Sequence, residues 1–406
     1  MANPRGSRIC QFRSLFCHAR WLITGRYQYR VRVGLDEPLQ TADIGLPPEH
    51  PTLPSLLRAQ GYHTALVGKW HPGLLPDYGP LKSGYDEFWG NRGGGVDYFT
   101  HQVAGQEDLW DGDVQIEEVG YYTDMLADRS IEFMDARAAE PEKPWLLSLH
   151  FTAPHWPWEG TNAQGRAESE RIAREGSTLQ DCHPGIYHFE GGSLETYAEM
   201  VTNLDANIGR VLARVAQLGM GHDTGVVVTS DNGGERFSFN WPFRGIKTEL
   251  LEGGMRVPLI VKWPGLTNPG TETDVPALSM DFLPTFLSAA GGSTPAENPS
   301  DGVNLRPVLA GGILPERTLY WRFVAKDQKA VRRGEYKYLS IAGEEYLFNV
   351  IDDPRERANL RGRMPEKFAD LKAAFSDWIA GMLTAPDAAT YRLTPRELAD
   401  HFGWDS

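Results

Sequence analysis

The feature that most constrains this chain is a repeated pairing of a short apolar run with a polar motif at its end. Pro144-Trp-Leu-Leu-Ser-Leu-His-Phe151 runs into Thr152-Ala-Pro-His-Trp-Pro-Trp158, and Gly225-Val-Val-Val-Thr-Ser230 into Asp231-Asn232-Gly-Gly234. Tyr62-His-Thr-Ala-Leu-Val67 leads to Gly68-Lys-Trp-His71, and Pro258-Leu-Ile-Val-Lys-Trp263 is a fourth run. Near-continuous apolar segments of this length predict buried strands, typically parallel ones covered on both faces.

Helical patterns fall between them. Pro51 to Gly61 reads as a short helix closed by a C-cap glycine. Residues 123–138 form an amphipathic segment with Asp124 near its start. From about 194 to 218, Tyr197, Val201, Leu204, Ile208, Leu212 and Val215 recur at helical spacing, and Gly219 ends the run. The alternation predicts an α/β fold with a doubly wound, mixed and largely parallel sheet flanked by helices. In such sheets ligands bind beyond the strand C-termini, where these polar motifs stand.

After about residue 315 the pattern changes to short alternating segments: Thr318–Phe323, Gln328–Arg332, Lys337–Ile341 and Glu345–Phe348. These predict a smaller antiparallel sheet, closed by a helix from about Pro365 to Met382. The boundaries expected are an atypical segment at 1–23, an α/β domain at 24–310 and a C-terminal subdomain at 311–406.

Composition narrows the function. With 40 basic and 54 acidic residues the net charge is −14, which disfavours nucleic acid as a general partner. No apolar stretch reaches the roughly 18 to 20 residues of a membrane span, so none is expected. The three cysteines, Cys10, Cys17 and Cys182, have no metal-finger spacing and are too few for a disulfide framework.

Residues 1–35 carry Arg5, Arg8, Arg13, Arg20, Arg26, Arg30 and Arg32 and no Asp or Glu. The apolar run Leu15–Ile23 is interrupted by His18 and Arg20, so no export signal is read there. No opening strand is expected in this segment either, and the chain reads as beginning partway into a fold.

Six side chains stand at strand ends. Lys69 and His71, two apart, share one side in extended geometry; a surface lysine beside a packing histidine is the plainer account. His155 lies between prolines and beside Trp156 and Trp158, as a functional or a structural histidine. Asp231 and Asn232 offer adjacent oxygen ligands on a glycine turn, suited to a hard cation such as Ca²⁺ or to an Asx turn without metal. Lys247 alone would pass for a surface lysine. As an ensemble the two lysines, two histidines and Asp-Asn pair suit binding and cleavage of a tetrahedral anion. Trp156, Trp158, Trp89 and the Gly93–Phe99 loop border an aromatic or sugar-binding pocket, or belong to the core.

Gly61-Tyr-His-Thr-Ala-Leu-Val-Gly-Lys-Trp-His71 resembles the second signature of the type I sulfatases, in the alkaline-phosphatase superfamily. Thr152-Ala-Pro-His155, Thr229-Ser-Asp-Asn-Gly-Gly234, Gly245-x-Lys247 with Glu252-Gly-Gly254, and Leu347 to Leu360 resemble the same family in the same order. The resemblance spans about Thr24 to residue 380. It implies hydrolysis of sulfate esters by a formylglycine nucleophile, made from a cysteine by a formylglycine-generating enzyme, at a Ca²⁺-assisted site. By resemblance Lys69 steadies the aldehyde hydrate and His71 takes its proton. His155 and Lys247 grip the sulfate and assist the leaving oxygen, and Asp231 and Asn232 supply part of the Ca²⁺ site. The implied substrate is a sulfated small molecule or sugar sulfate. A phosphonate or phosphodiester hydrolase of the same superfamily, or a non-catalytic binding protein on the same fold, are the alternatives.

Two departures accompany it. The N-terminal strand and Asp-Asp pair that complete the family's Ca²⁺ site have no counterpart here. The nucleophile motif is displaced: counting back from Thr24-Gly-Arg-Tyr27, the nucleophile falls at Leu15 and its arginine at Ala19. Cys17-His-Ala-Arg20 instead places a cysteine and an arginine one residue too close, as does Cys10-Gln-Phe-Arg13. Cys17 and Arg20 are the nearest counterparts, and residues 1 to about 23 are expected to derive from a wrong start or a shifted frame.

Overall fold

The computed structural model describes residues 10–16, 19–35, 44–103, 105–175, 192–323 and 327–384. The chain divides into two compact units, a discontinuous one of residues 1–36, 225–285 and 300–406 and a mid-chain one of residues 37–224 and 286–299. Its architecture is the α/β class expected, a mixed, largely parallel arrangement of strands with flanking helices, plus a smaller antiparallel sheet and helix at the C-terminus.

The discontinuous unit opens with strand β1 (Cys10–Phe16) and helix α1 (Ala19–Thr24). The strand corrects the expectation that residues 1–35 hold none. Cross-strand pairing decides it: β1 gains partners on both edges that no local pattern announces, as described below.

In the mid-chain unit, α2 (Leu53–Ala59) starts at a capping box in which Thr52 accepts from the Ser55 N–H and Ser55 from the Thr52 N–H. It leads into β2 (His63–Gly68) and then β3 (Glu87–Gly90). Four two-residue strands follow: β4 (Gln102–Val103), β5 (Gln106–Glu107), β6 (Trp110–Asp111) and β7 (Val114–Gln115). Next come α3 (Tyr122–Ala138), β8 (Trp145–His150), α4 (Ala163–Glu175) and α5 (Leu194–Gln217). The sheet order is β7-β6-β3-β2-β8, with β2 parallel to both β3 and β8. Ala65 of β2 packs with Phe133 and Met134 of α3 and Val215 of α5.

Helix α5 packs only in part as its apolar periodicity predicts: Val215 is buried and Tyr197, Leu204 and Ile208 are half-buried. Val201 and Leu212 remain 39% and 40% exposed, whereas Met200, Asn207 and Val215 are buried. A polar seam against α3 takes precedence: Asp124 accepts from the side-chain amides of Asn203 and Asn207 at 2.9 and 2.7 Å. Arg214 pairs with Asp135 and Arg210 with Asp128 along the same face.

The discontinuous unit continues with β9 (Val226–Thr229), α6 (Glu252–Met255), β10 (Arg256–Lys262), β11 (Thr271–Thr273) and β12 (Ala277–Leu278). Here β1 runs antiparallel to β10 and parallel to β11 and β12, and β10 is antiparallel to β9. The fourth apolar run is therefore an antiparallel strand. Strands β8 and β9, expected to be buried, are mostly half-exposed, because each is the last strand of its own sheet.

After α7 (Phe282–Ala289) and α8 (Arg306–Leu309), β13 (Thr318–Phe323), β14 (Gln328–Arg333), β15 (Tyr336–Ile341) and β16 (Glu344–Asn349) form the antiparallel meander expected. Helix α9 (Pro365–Ala380) seats Leu371 and Phe375 on Val331, Tyr338 and Leu347 of one face. Leu319, Trp321, Ala330, Leu339, Ile341 and Phe348 pack instead with Leu250, Leu251 and Met255, next to the α6 motif.

Candidate active site

The sequence-predicted residues fall into two groups, one in each unit. In the mid-chain unit the C-terminal ends of β2, β3 and β8 build the first. Gly68 closes β2 at φ 114°, and a Cβ there would meet the His150 carbonyl at 2.1 Å, so only glycine fits. The next three residues are strapped on both sides. Lys69 N–H donates to the His150 carbonyl at 3.1 Å, Trp70 N–H to Asn91 at 2.9 Å and His71 N–H to Arg92 at 3.1 Å.

Trp70 is 3% exposed and its indole N–H donates to Gly73, while Lys69 and His71 are half-buried. The simple alternation expected of an extended segment stops at His71, whose φ of 70° turns the chain. A non-glycine residue in that region is costly and is held only by its surroundings.

His155 sits just past β8 in a turn closed by its N–H on the Thr152 carbonyl at 2.9 Å. Its Nδ1 lies 2.7 Å from the Trp156 carbonyl, which assigns the proton of the neutral ring to Nδ1. Tyr98 Oη donates to the His155 carbonyl at 2.9 Å. Burial pushes the Tyr98 phenol well above its ordinary pKa, so it remains a donor.

The Gly93–Gly95 loop brings the two histidines to one place. A Cβ at Gly94 would stand 2.9 Å from the His71 ring, and one at Gly95 would stand 3.3 Å from the His155 ring and 3.5 Å from Trp156. At Gly94 the His71 imidazole occupies the space of the missing side chain, whereas at Gly95 a side chain would crowd the His155 ring. Asp108 anchors the loop, accepting from the N–H groups of Arg92 and Gly93 at 3.0 and 2.7 Å and from the Trp110 indole at 2.8 Å. Burial raises the Asp108 pKa, and these bonds oppose the rise.

Of the tryptophans expected to border a pocket, Trp89 and Trp158 are 5% and 4% exposed and belong to the core. Trp89 stacks on Tyr122 and lies under the Arg129 guanidinium. Trp156 is half-buried, with its ring 4.3 Å from that of His155.

The second group lies in the discontinuous unit. Asp231 is exposed and Asn232 half-buried, just beyond β9. Their turn is locked where Gly233 N–H donates to the Gly254 carbonyl at 2.9 Å and a Cβ on Gly233 would collide with Gly253 at 1.8 Å. Lys247 joins it through its own N–H, which donates to Gly234 at 3.0 Å, and the Asn240 side chain bridges Gly234 and Gly245. The Lys247 ammonium is 3.4 Å from the Glu235 carboxylate with 23% of its side chain exposed, so it is not the open surface lysine its sequence context suggests.

Asn232 donates its amide to the Gly233 carbonyl at 2.9 Å, which leaves its Oδ1 as an acceptor one residue along the chain from Asp231. Two such oxygens fit part of the shell of about six to eight that Ca²⁺ requires. Among the described residues no group of three or more His, Cys, Asp or Glu side chains is placed to hold a metal ion. Cys17 lies outside the described residues; Arg20 falls within α1. No helix among the described residues is long and apolar enough to cross a membrane.

Sequence reasoning missed Asp108 and Glu235, whose side-chain partners are set by folding of the loops, and named Tyr98 only as part of the Gly93–Phe99 loop. The triple glycine was the available signal for the histidine cradle.

Comparison with known proteins identifies the family to which the chain is similar. Residues 19–293 match the family model Sulfatase, and residues 246–380 match N-sulphoglucosamine sulphohydrolase, C-terminal. N-acetylgalactosamine-6-sulfatase of Canis lupus familiaris is 28% identical over 320 residues, covering 72% of this chain and 55% of that protein. Arylsulfatase J of Mus musculus is 30% identical, covering 73% of this chain and 48% of its own. The chain spans about half the length of the curated relatives it matches. Among solved structures, Ps i-CgsB superposes with a TM-score of 0.81 at 24% identity, over 94% of this chain and 87% of that one. The structure of BT4656 in complex with its substrate D-glucosamine-2-N,6-O-disulfate gives 0.70 at 20% identity, over 92% and 91%.

Proposed function

Because the chain belongs to the sulfatase family, we propose that it hydrolyses sulfate esters, with a sulfated sugar as the substrate class. The observation that carries this reading is the glycine loop whose Gly94 and Gly95 leave room for the His71 and His155 rings. It runs past two imidazoles that this reading takes as the proton-exchanging groups, with Lys69 at the C-terminal end of a parallel strand pair. The sugar assignment is supported by the relatives named for N-acetylgalactosamine-6-sulfate chemistry and by the glucosamine disulfate bound in BT4656.

In this reading Lys69 steadies the aldehyde hydrate, and His71 takes its proton during the collapse that releases sulfate. His155 binds a sulfate oxygen and delivers a proton through Nε2 to the departing alcohol oxygen. Lys247 supplies a cation for the sulfate, and Trp156 offers an apolar wall to a sugar face. Formylglycine formed from Cys17 would supply the hydrated aldehyde as nucleophile, with Arg20 beside it in the chain. Asp231 and Asn232 would contribute two oxygens to a Ca²⁺ ion that withdraws charge from the sulfate.

The test is to produce the protein with a formylglycine-generating enzyme and weigh the tryptic peptide Ser14–Arg20. The same preparation is then assayed on aryl sulfates, hexosamine sulfates and phosphate diesters. An aldehyde mass with sulfate-ester turnover supports the proposal. Turnover of phosphate diesters alone would move the chain to the phosphodiesterase reading. An intact thiol with measurable sulfate affinity would identify a non-catalytic binding protein.

A further inference from the structure

The segment that carries Lys247 is held from one side by the C-terminal meander, and the grip is specific. Gln328 of β14 is 2% exposed. Its Oε1 accepts the Leu250 N–H at 2.9 Å while its Nε2 donates to the Thr248 carbonyl at 2.8 Å. The side-chain amide therefore pairs with the main chain as a neighbouring strand would, two residues apart. Thr248, the first residue it holds and the one that follows Lys247, has φ 74°. A β-branched residue leaves that region unless something retains it.

A second contact fixes the far end of the same segment. Lys337 of β15 is fully buried, 3.0 Å from Glu252 and 2.8 Å from Glu356, and Glu356 accepts the Glu252 N–H at 2.7 Å. Arg332 lies 3.5 Å from Glu252. The stretch 248–252 is thus bonded to the meander at both ends. On its other side the main chain of Lys247 is tied to Gly234.

We propose that Gln328 is a positioning residue for Lys247: by holding Thr248 in its left-handed conformation, it aims the lysine at the anion site. This rests on the reading that Lys247 binds the sulfate. The C-terminal meander then serves the site through the main chain of one loop, without contributing a side chain to the substrate.

The experiment is a double-mutant cycle read by calorimetric affinity for inorganic sulfate on the full chain, which needs no turnover. Lys247→Ala is expected to weaken sulfate binding at least about tenfold, the loss of one charged hydrogen bond. Gln328→Met, which keeps the volume and removes both bonds, should weaken it about three- to tenfold. Adding Gln328→Met to Lys247→Ala should change nothing further, because the amide acts only through the lysine. Thr248→Gly should restore affinity to the Gln328→Met protein, since glycine holds positive φ without help.

Equal loss from Gln328→Met in both backgrounds overturns the proposal, as does unchanged affinity in the single variant. If Gln328→Met does not fold, Gln328→Leu takes its place, losing both bonds without adding a charge, with the same outcomes deciding. If Lys247→Ala binds sulfate normally, the role assigned to Lys247 fails and the positioning role falls with it. Failure confined to Gln328 leaves the role of Lys247 intact.

Discussion

Lys247 and Glu235 form an ion pair at 3.4 Å, with their side chains 23% and 33% exposed. The lysine is therefore already oriented beside the Asp231–Gly234 turn, with a carboxylate as its partner. Partial exposure keeps the pair weak in folding terms, below about 1 kcal/mol, so binding and stability are separable at this residue.

Lys247→Ala is accordingly expected to lower the melting temperature by less than about 3 °C while reducing kcat/KM for a sulfate ester at least about tenfold. Thermal unfolding and steady-state kinetics on one preparation check this. A large loss of stability with unchanged kinetics would make the residue structural.

Gly94→Ala places a methyl group 2.9 Å from the His71 ring, whereas Gly95→Ala places one 3.3 Å from the His155 ring. The first must displace the imidazole and the second only crowds it. Gly94→Ala should cut kcat by more than about tenfold, and Gly95→Ala by a few-fold, with overpacking costs of about 1–3 kcal/mol at most in either. Comparable kcat values in wild type and Gly94→Ala would remove the glycine loop from the catalytic argument.

Asp108→Asn tests the anchor of that loop. Asp108 accepts from three N–H groups, and an amide can replace only one of its two acceptor oxygens. One buried donor would then face another, at a cost of about 1–3 kcal/mol. Urea denaturation should show that loss, and kcat should fall with it because the loop against His71 loosens. Wild-type stability in the variant would argue against the anchor.

Glu356 gives a pH signature. Burial raises its pKa to about 7, against the pull of Lys337, while neighbouring Glu252 takes the larger share of the nearby cations and is held below its usual value. A carboxyl whose folded pKa exceeds its unfolded value of 4.5 binds more protons when folded. Its contribution to stability is complete at low pH and declines as pH rises to about 7. The shift corresponds to roughly 3 kcal/mol at most. Glu356→Gln removes this titration but sets an amide N–H against one of two donors, so behind a constant offset its stability relative to wild type should rise from about pH 5 to pH 8. A difference in stability that stays constant with pH would show that Glu356 is ionised throughout.

Much of this was legible in the chain. The C-terminal meander matched its alternating segments closely because a two-residue period determines which face each side chain takes. The placing of Lys69, His71 and His155 just past strands β2 and β8 was legible because they follow apolar runs. Strand β1 was not legible, because its evidence is pairing with residues 256–261 and 271–278. Nor was the exposure of β8 and β9. Apolar composition marks a strand and does not say whether it has a neighbour on each edge.

The sequence by itself determined the family, the α/β class and the order of the motifs, since these rest on local periodicity and on residues adjacent in the chain. Tertiary structure alone decided which glycine faces which histidine, that Glu235 partners Lys247 and that Gln328, 80 residues from Thr248, holds the lysine's loop. Those relationships depend on distances of a few ångströms between segments far apart in sequence, and closing such long loops leaves no periodic trace in the residues that meet.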